Sequence, residues 1–186
     1  MKIKNIFLMI KTICIHKYYV AKFCFLCGLY WRGIKHDMSK FSLTELKESV
    51  KFYTGKETPI KKAKEIQGYS LAWLHHKGRN THHHEYWCDN FDNGKSVTSF
   101  IMPLDDIIEM MCDWFAAYCT YNNTNKINII NEYNWWQRKK KDSKEINPKI
   151  VLFIDRLFFE FLKNSDISIL KNRGFLEKLY KEIING

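Results

Sequence analysis

Apolar residues recur at three- and four-residue spacings along almost the whole chain, and no run shows the strict alternation of a half-buried strand. The pattern predicts a first helix from about Lys4 to about Gly28, with Ile13, His16, Val20, Cys24 and Cys27 on one face. A short second helix is predicted to carry His36-Asp37. Ser42 and Glu45 in SLTE have the spacing of a capping box, which starts a helix reaching about Tyr53. Thr58-Pro59 is a second start signal, leading into a helix through about His76. Gly78-Arg79-Asn80 breaks the pattern, and Asp89 to Ser99 reads as a polar surface loop. Pro103 opens a strongly apolar helix to about Tyr121, and Asn128 begins a polar-aromatic one to about Asp142. Asn147-Pro148 caps VLFIDRLFFEFL, and a last helix closes the chain.

These elements predict an all-α fold: a histidine-bearing helical core over residues 1–125 and a helical extension over 126–186 packed on it, within a single domain. Composition agrees. Hydrophobic residues make up 46% of the 186 positions, with only eight Gly and three Pro, which excludes a disordered chain. The early lysines and apolar centre of MKIKNIFLMIKTICIHKYYV imitate a signal peptide. Lys11 interrupts the run and no small-residue cleavage site follows, so a folded helix is expected. No segment reaches the roughly 18 apolar residues of a membrane span. The six cysteines lie mostly in apolar runs and read as reduced core residues, Cys24-x-x-Cys27 included. Together these features suit a cytoplasmic protein.

The formal charge of +10 favours anionic partners, but the excess is Lys spread along the chain. It suits a small phosphate ester as well as nucleic acid. WWQRKKK, where Trp135 and Trp136 adjoin Arg138 to Lys141, is the one stretch that pairs aromatics with a basic run. Such a run is more often a solvated helix face.

Histidine changes the picture most. All seven lie between His16 and His84, five of them in LHHKGRNTHHHEYW. Imidazole is the commonest metal ligand among side chains, and this crowding points to a metal-centred site rather than to scattered surface residues. The Pro103 helix supports that reading. It is apolar nearly all round from Ile107 to Ala117, yet Glu109 and Asp113 sit four apart on one face. Asp105 and Asp106 in its first turn complement the helix dipole. Glu109 and Asp113 lie too deep for that, and a buried carboxylate costs several kcal/mol unless a base or a cation meets it. His16 points inward on its helix. A lysine three residues after Asp37, Lys40, stands on the same side as the His36-Asp37 pair.

The order His16, His36-Asp37, the cluster His75 to His84, then Asp113 resembles the HD-domain superfamily of metal-dependent phosphohydrolases. KHDMSKF is similar to the HD-x-G-K form of its branch acting on cyclic dinucleotides, with Ser39 in place of glycine, and that branch's glycine-rich GYP segment is absent. GLYWRGIKHDMSKFS, GYSLAWLHHKGRNTHHHEYW and MPLDDIIEMMCDWFAA together resemble an uncharacterised bacterial and phage family related to HD proteins, over about residues 12 to 140. The resemblance implies His16, His36, Asp37 and Asp113 as metal ligands, with His76 and His83 for a second metal. His75, His82 and His84 compete for those roles, and Glu109 is a ligand or an orienting carboxylate. One or two divalent ions of Mn, Fe, Co, Ni or Zn suit such mixed ligands.

The reaction so implied is hydrolysis of a nucleotide or other small phosphate ester by metal-activated hydroxide. Asp37 anchors it, Lys40, Lys77 and Arg79 neutralise the phosphate, and Asn80, Tyr86 and Trp87 contact the substrate. Two alternatives stand beside it: an HD-like di-iron oxygenase with the same cage, and a non-catalytic nucleotide- or protein-binding module.

Overall fold

Short polar side chains start the helices. Ser42 Oγ accepts from Glu45 N, Thr58 Oγ1 from Lys61 N, Asn128 Oδ1 from Asn131 N and Asn147 Oδ1 from Lys149 N. Each satisfies an amide that the first turn leaves unpaired, and Pro59 and Pro148 occupy first-turn positions that need no donor. The computed structural model describes residues 3–90, 97–143 and 145–186. Its elements are α1 (Ile3–Leu26), α2 (Tyr30–Lys35), a 3-10 turn (Met38–Phe41), α3 (Leu43–Lys51), α4 (Pro59–Gln67), α5 (Leu71–Lys77) and a 3-10 turn (His84–Trp87). A two-strand antiparallel hairpin follows, β1 (Cys88–Asn90) with β2 (Val97–Ser99). Then come α6 (Leu104–Tyr121), α7 (Ile129–Asp142), α8 (Pro148–Asn164), a 3-10 turn (Ser168–Lys171) and α9 (Arg173–Asn185). The fold is all-α apart from that hairpin.

Four details differ from the sequence expectation. His36-Asp37 is not on a helix: α2 ends at Lys35, and Asp37 adopts a left-handed φ of 53° that reverses the chain. The helix expected from Thr58 to His76 is two, because Gly68 takes a left-handed φ of 81° and Ser70 caps a fresh start at α5. The loop expected over Asp89 to Ser99 has paired edges, although its middle, residues 91–96, lies outside the described residues. The capping box at Ser42 is only half made, because the Glu45 carboxylate turns to His76 instead of to the backbone.

The core centres on α6, which lies along α1. Phe115 of α6 is fully buried and packs edge-on against Phe23 of α1 and Phe161 of α8, with ring centroids 6.1 and 6.0 Å apart. The same buried cluster continues through Trp136 to Leu176 and Leu179 of α9, so no boundary in the apolar core falls at residue 125. A smaller cluster, Met9, Ile13 and Val50, ties the start of α1 to α3.

Trp136 belongs to this core and the partly buried Trp135 packs against it, so neither is a free stacking platform beside the basic run, which the sequence reads more often as a solvated helix face. Trp136 stacks on Trp114 at 5.5 Å and donates its indole N–H to Asp155 at 2.7 Å. Trp135 packs edge-on to Trp114, and Lys140 is paired with Asp155 at 2.9 Å.

Candidate metal centre

Four segments deliver one side-chain cluster. The buried face of α1 contributes His16, the turn after α2 contributes His36 and Asp37, and the stretch from α5 to the His84 turn contributes His76, His82 and His83. Asp113 arrives from the middle of α6. The left-handed backbone at Asp37 explains how two adjacent residues face one point, since consecutive helical side chains would diverge by about 100°.

Asp37 is the hub. Its Oδ2 lies 3.2 Å from His36 Nε2 and 4.0 Å from His16 Nε2, while Asp113 Oδ1 is 2.8 Å from His16 Nε2 and 3.5 Å from His36 Nε2. Its Oδ1 faces the other way, 3.2 Å from His76 Nε2 and 3.4 Å from His82 Nε2. Two donor groups result, His16–His36–Asp37–Asp113 and Asp37–His76–His82–His83, with all donor atoms within 4.8 Å of one another in each. Most of these atoms approach without hydrogen-bond geometry. His16 Nε2, His36 Nε2, both Asp37 oxygens, His82 Nε2 and His83 Nε2 are buried with no hydrogen-bond partner. Orphaned buried polar atoms are costly and rare, and here six of them converge.

A ring of carboxylates orients the imidazoles from behind. Glu109 Oε1 is 2.8 Å from His36 Nδ1 and 3.4 Å from His82 Nδ1. Glu45 Oε2 is 2.9 Å from His76 Nδ1, and its Oε1 takes His75 at 2.7 Å. Holding Nδ1 leaves Nε2 aimed at the centre, the arrangement that fixes the tautomer of metal-bound histidines. Arg32 closes the ring by donating to Glu109 at 2.9 Å and to the buried Asp106 at 2.7 Å. Asp106 also accepts from Thr81 Oγ1, so it serves a buried network rather than only the helix dipole.

Burial raises the cost of every charge here, and the neighbours decide each sign. Burial opposes the Asp37 carboxylate, but His36, Lys40 and His76 hold its pKa well below the usual range. Burial likewise opposes a proton on His36, yet Asp37, Asp113 and Glu109 raise its pKa well above the ordinary value. His82 is pushed down to about 4 by burial and by His36, and burial with His82 beside it holds His83 well below its ordinary value. Burial and Lys40 also lower His16. Burial thus favours the neutral form of His16, His82 and His83. Among the described residues, five enclosed carboxylates (Asp37, Glu45, Asp106, Glu109, Asp113) form ion pairs with only two permanent cations, Arg32 and Lys40, with Lys17 nearby on the His36 carbonyl, so carboxylates outnumber the fixed positive charges.

A cavity of about 670 Å³ opens on this cluster. His16, His76, His83, Asp113 and Lys40 form its floor, and Lys40 Nζ lies 2.5 Å from Asp37 Oδ2. Met9, Ile13, Ile60 and Trp73 supply apolar wall, Lys64 and Lys139 add positive charge, and Lys61, paired with Glu57 at 2.9 Å, stands beside Glu65 and Glu85.

Of the residues expected at the site, His16, His36, Asp37, His76, His82, His83, Asp113 and Lys40 come together, with Glu109 immediately behind. His75 is held off by Glu45, and His84 turns away towards Glu85. Lys77 lies outside the cavity. Arg79 is exposed on a shallow depression on another face of the cluster, and Asn80 spends its amide on Ser39 and His76. Tyr86 and Trp87 also lie outside the cavity, and Trp87 donates to Thr81 O at 2.7 Å as packing. Sequence reasoning missed Glu45, Arg32, Trp73 and the lysines of the wall. Glu45 carried a signal, but one that a capping box accounts for in full.

Residues 6–158 match a family of unknown function, DUF5662. The chain belongs to that family. No curated protein and no solved structure matches it. The matched span contains every residue of the Asp37 cluster and its ring of orienting carboxylates. No described helix is long and apolar enough to cross a membrane.

Proposed function

We propose that this chain is a metal-dependent phosphohydrolase of the HD type, acting on a nucleotide or other small phosphate ester. The observation that carries the reading is Asp37, whose buried oxygens face two separate histidine sets, with Lys40 as the one ammonium that meets them. A carboxylate shared between two donor groups would suit a pair of cations, and the mixed imidazole and carboxylate donors fit Mn, Fe, Co, Ni or Zn. Such cations supply Lewis acidity, acidifying water and drawing charge from phosphoryl oxygens.

The chain's own residues do the rest. Asp37 and Asp113 supply negative charge that favours cations over a neutral pocket. Glu109 and Glu45 keep His36 and His76 turned inward. Lys40, on the cavity floor, is placed to hold a phosphoryl oxygen. Burial opposes its charge, but Asp37 and Asp113 raise its pKa, so it stays protonated. Lys64 and Lys139 add positive charge beyond the floor, which suits an anionic substrate, although Lys61 is paired with Glu57 and Glu65, and Glu85 lines the same wall. Trp73 offers an aromatic wall to a base, in the place that Tyr86 and Trp87 do not reach.

The test is phosphate release from a panel of nucleotides and phosphodiesters by tag-free protein, with and without chelator, beside Asp37→Asn. Chelator-sensitive release that Asp37→Asn lowers by at least 100-fold is expected. Oxygen consumption by the reduced-iron protein with no phosphate release from any panel member would overturn the hydrolytic reading.

A further inference from the structure

His84 is the member of the HHH run that the Asp37 cluster does not use. Its side chain is 6% exposed, and both ring nitrogens are buried without a hydrogen-bond partner. Glu85 Oε1 lies 3.2 Å from Nε2, again without hydrogen-bond geometry. The third neighbour, Glu145, comes from the connection between α7 and α8, and its carboxylate is exposed. Donor atoms of His84, Glu85 and Glu145 all fall within 4.8 Å of one another.

The scaffold around them is tied down. Cys88 Sγ lies 3.4 Å from His84 O and 3.0 Å from Glu145 O, bridging the two segments. Asn147 Nδ2 donates to Ser99 O at 2.7 Å, anchoring the same connection to β2. Among the described residues, no Lys or Arg forms an ion pair with Glu85 or Glu145. Two carboxylates thus converge on an imidazole whose lone pair has nothing to meet.

We propose that His84, Glu85 and Glu145 form a separate divalent-cation site of Mn2+-like, oxygen-rich chemistry. One nitrogen and two carboxylates leave coordination positions on the exposed Glu145 side for water. The site shares no donor with the Asp37 cluster and does not rest on the proposed reaction. It joins the turn after α5 to the entry of α8, two segments about sixty residues apart in sequence. Glu85 also lines the large cavity, so a cation here fixes one wall of it.

The test counts Mn2+ bound to the metal-stripped full chain, from the electron paramagnetic resonance signal of free Mn2+. Wild type, Glu145→Ala, Asp37→Asn and the double variant are compared. Glu145 is exposed, so its truncation leaves folding intact where a change at buried His84 would not. Expected is the loss of one equivalent on Glu145→Ala in both backgrounds, with a smaller Mn2+-dependent rise in melting temperature. Equal counts with and without Glu145→Ala would overturn the proposal. If Glu145→Ala removes an equivalent while Asp37→Asn removes none, this site stands and the Asp37 reading fails.

Discussion

Glu45 and Glu109 act on the centre without facing it. Each grips the Nδ1 of an inward imidazole, so the direction of Nε2 depends on a carboxylate 31 or 73 residues away in sequence. Removing such an orienting partner commonly lowers metal affinity by about 10- to 100-fold. Glu45→Gln is therefore expected to weaken metal binding by that factor in chelator competition, with the fold retained. Unchanged affinity would make Glu45 merely a buried partner of His75. At this scale the cluster itself was legible, because crowded histidines and two deep acids on an apolar helix are costly to bury unless bases or cations meet them. Their supports were not. Glu45 reads locally as a helix-capping residue, and Arg32 in YWRGIK reads as an ordinary surface base, because both partners come from distant elements. The choice among His75, His76, His82, His83 and His84 was equally hidden, since it depends on the turn at residues 78–83 and not on spacing.

Helix packing sets the geometry that those residues need. Gly33 of α2 sits where an added Cβ would meet Cys24 Cβ at 2.8 Å and the Ala21 backbone at 3.1 Å. The close α1–α2 crossing places Arg32 and His36 against α6. Gly33→Ala should push the helices apart and cost about 1–3 kcal/mol, read by chemical denaturation. No loss of stability would mean that the crossing has slack.

On α7, burial alone raises the Glu132 carboxyl to about 7. Its contribution is complete below its unfolded value near 4.5 and is lost as pH rises through about 7, because the unfolded chain then gains more by ionising. Glu132→Gln is thus expected to be more stable than wild type above pH 7, by up to about 3 kcal/mol, and equal to it near pH 4. A pH-independent difference would refute the assignment. Helix starts at Ser42, Thr58, Asn128 and Asn147 were readable because a cap is a local bond. The break at Gly68 was overlooked, although Gly-Tyr-Ser carries both a left-handed stop and a new cap. The turn at Asp37 had no decisive local signal, since a single aspartate can sit in either a helix or a left-handed turn.

Across the whole molecule, one apolar core runs from α1 to α9 and the Asp37 cluster lies beside it, between α1, α6 and the connections that follow α2 and α5. The all-α class followed from periodicity, but the size and lining of the cavity did not. Lys61, Lys64 and Lys139 look like dispersed surface charge in a chain of net charge +10, and only the fold assembles them around one opening. Basic side chains from two distant helices, α4 and α7, thereby stand over a floor rich in carboxylates and imidazoles. That contrast is expected where cations are held beneath an anionic substrate.

The most direct measurement is elemental analysis of the tag-free chain after loading with transition metal and removal of excess, alongside Asp37→Asn, which keeps the shape and tolerates the left-handed backbone. The account predicts two tightly held equivalents that Asp37→Asn releases together, apart from the one that Glu145→Ala removes. It also predicts that chelator lowers the melting temperature of the wild type more than that of the variant. A wild-type chain that retains no metal, with a melting temperature indifferent to chelator, would contradict it.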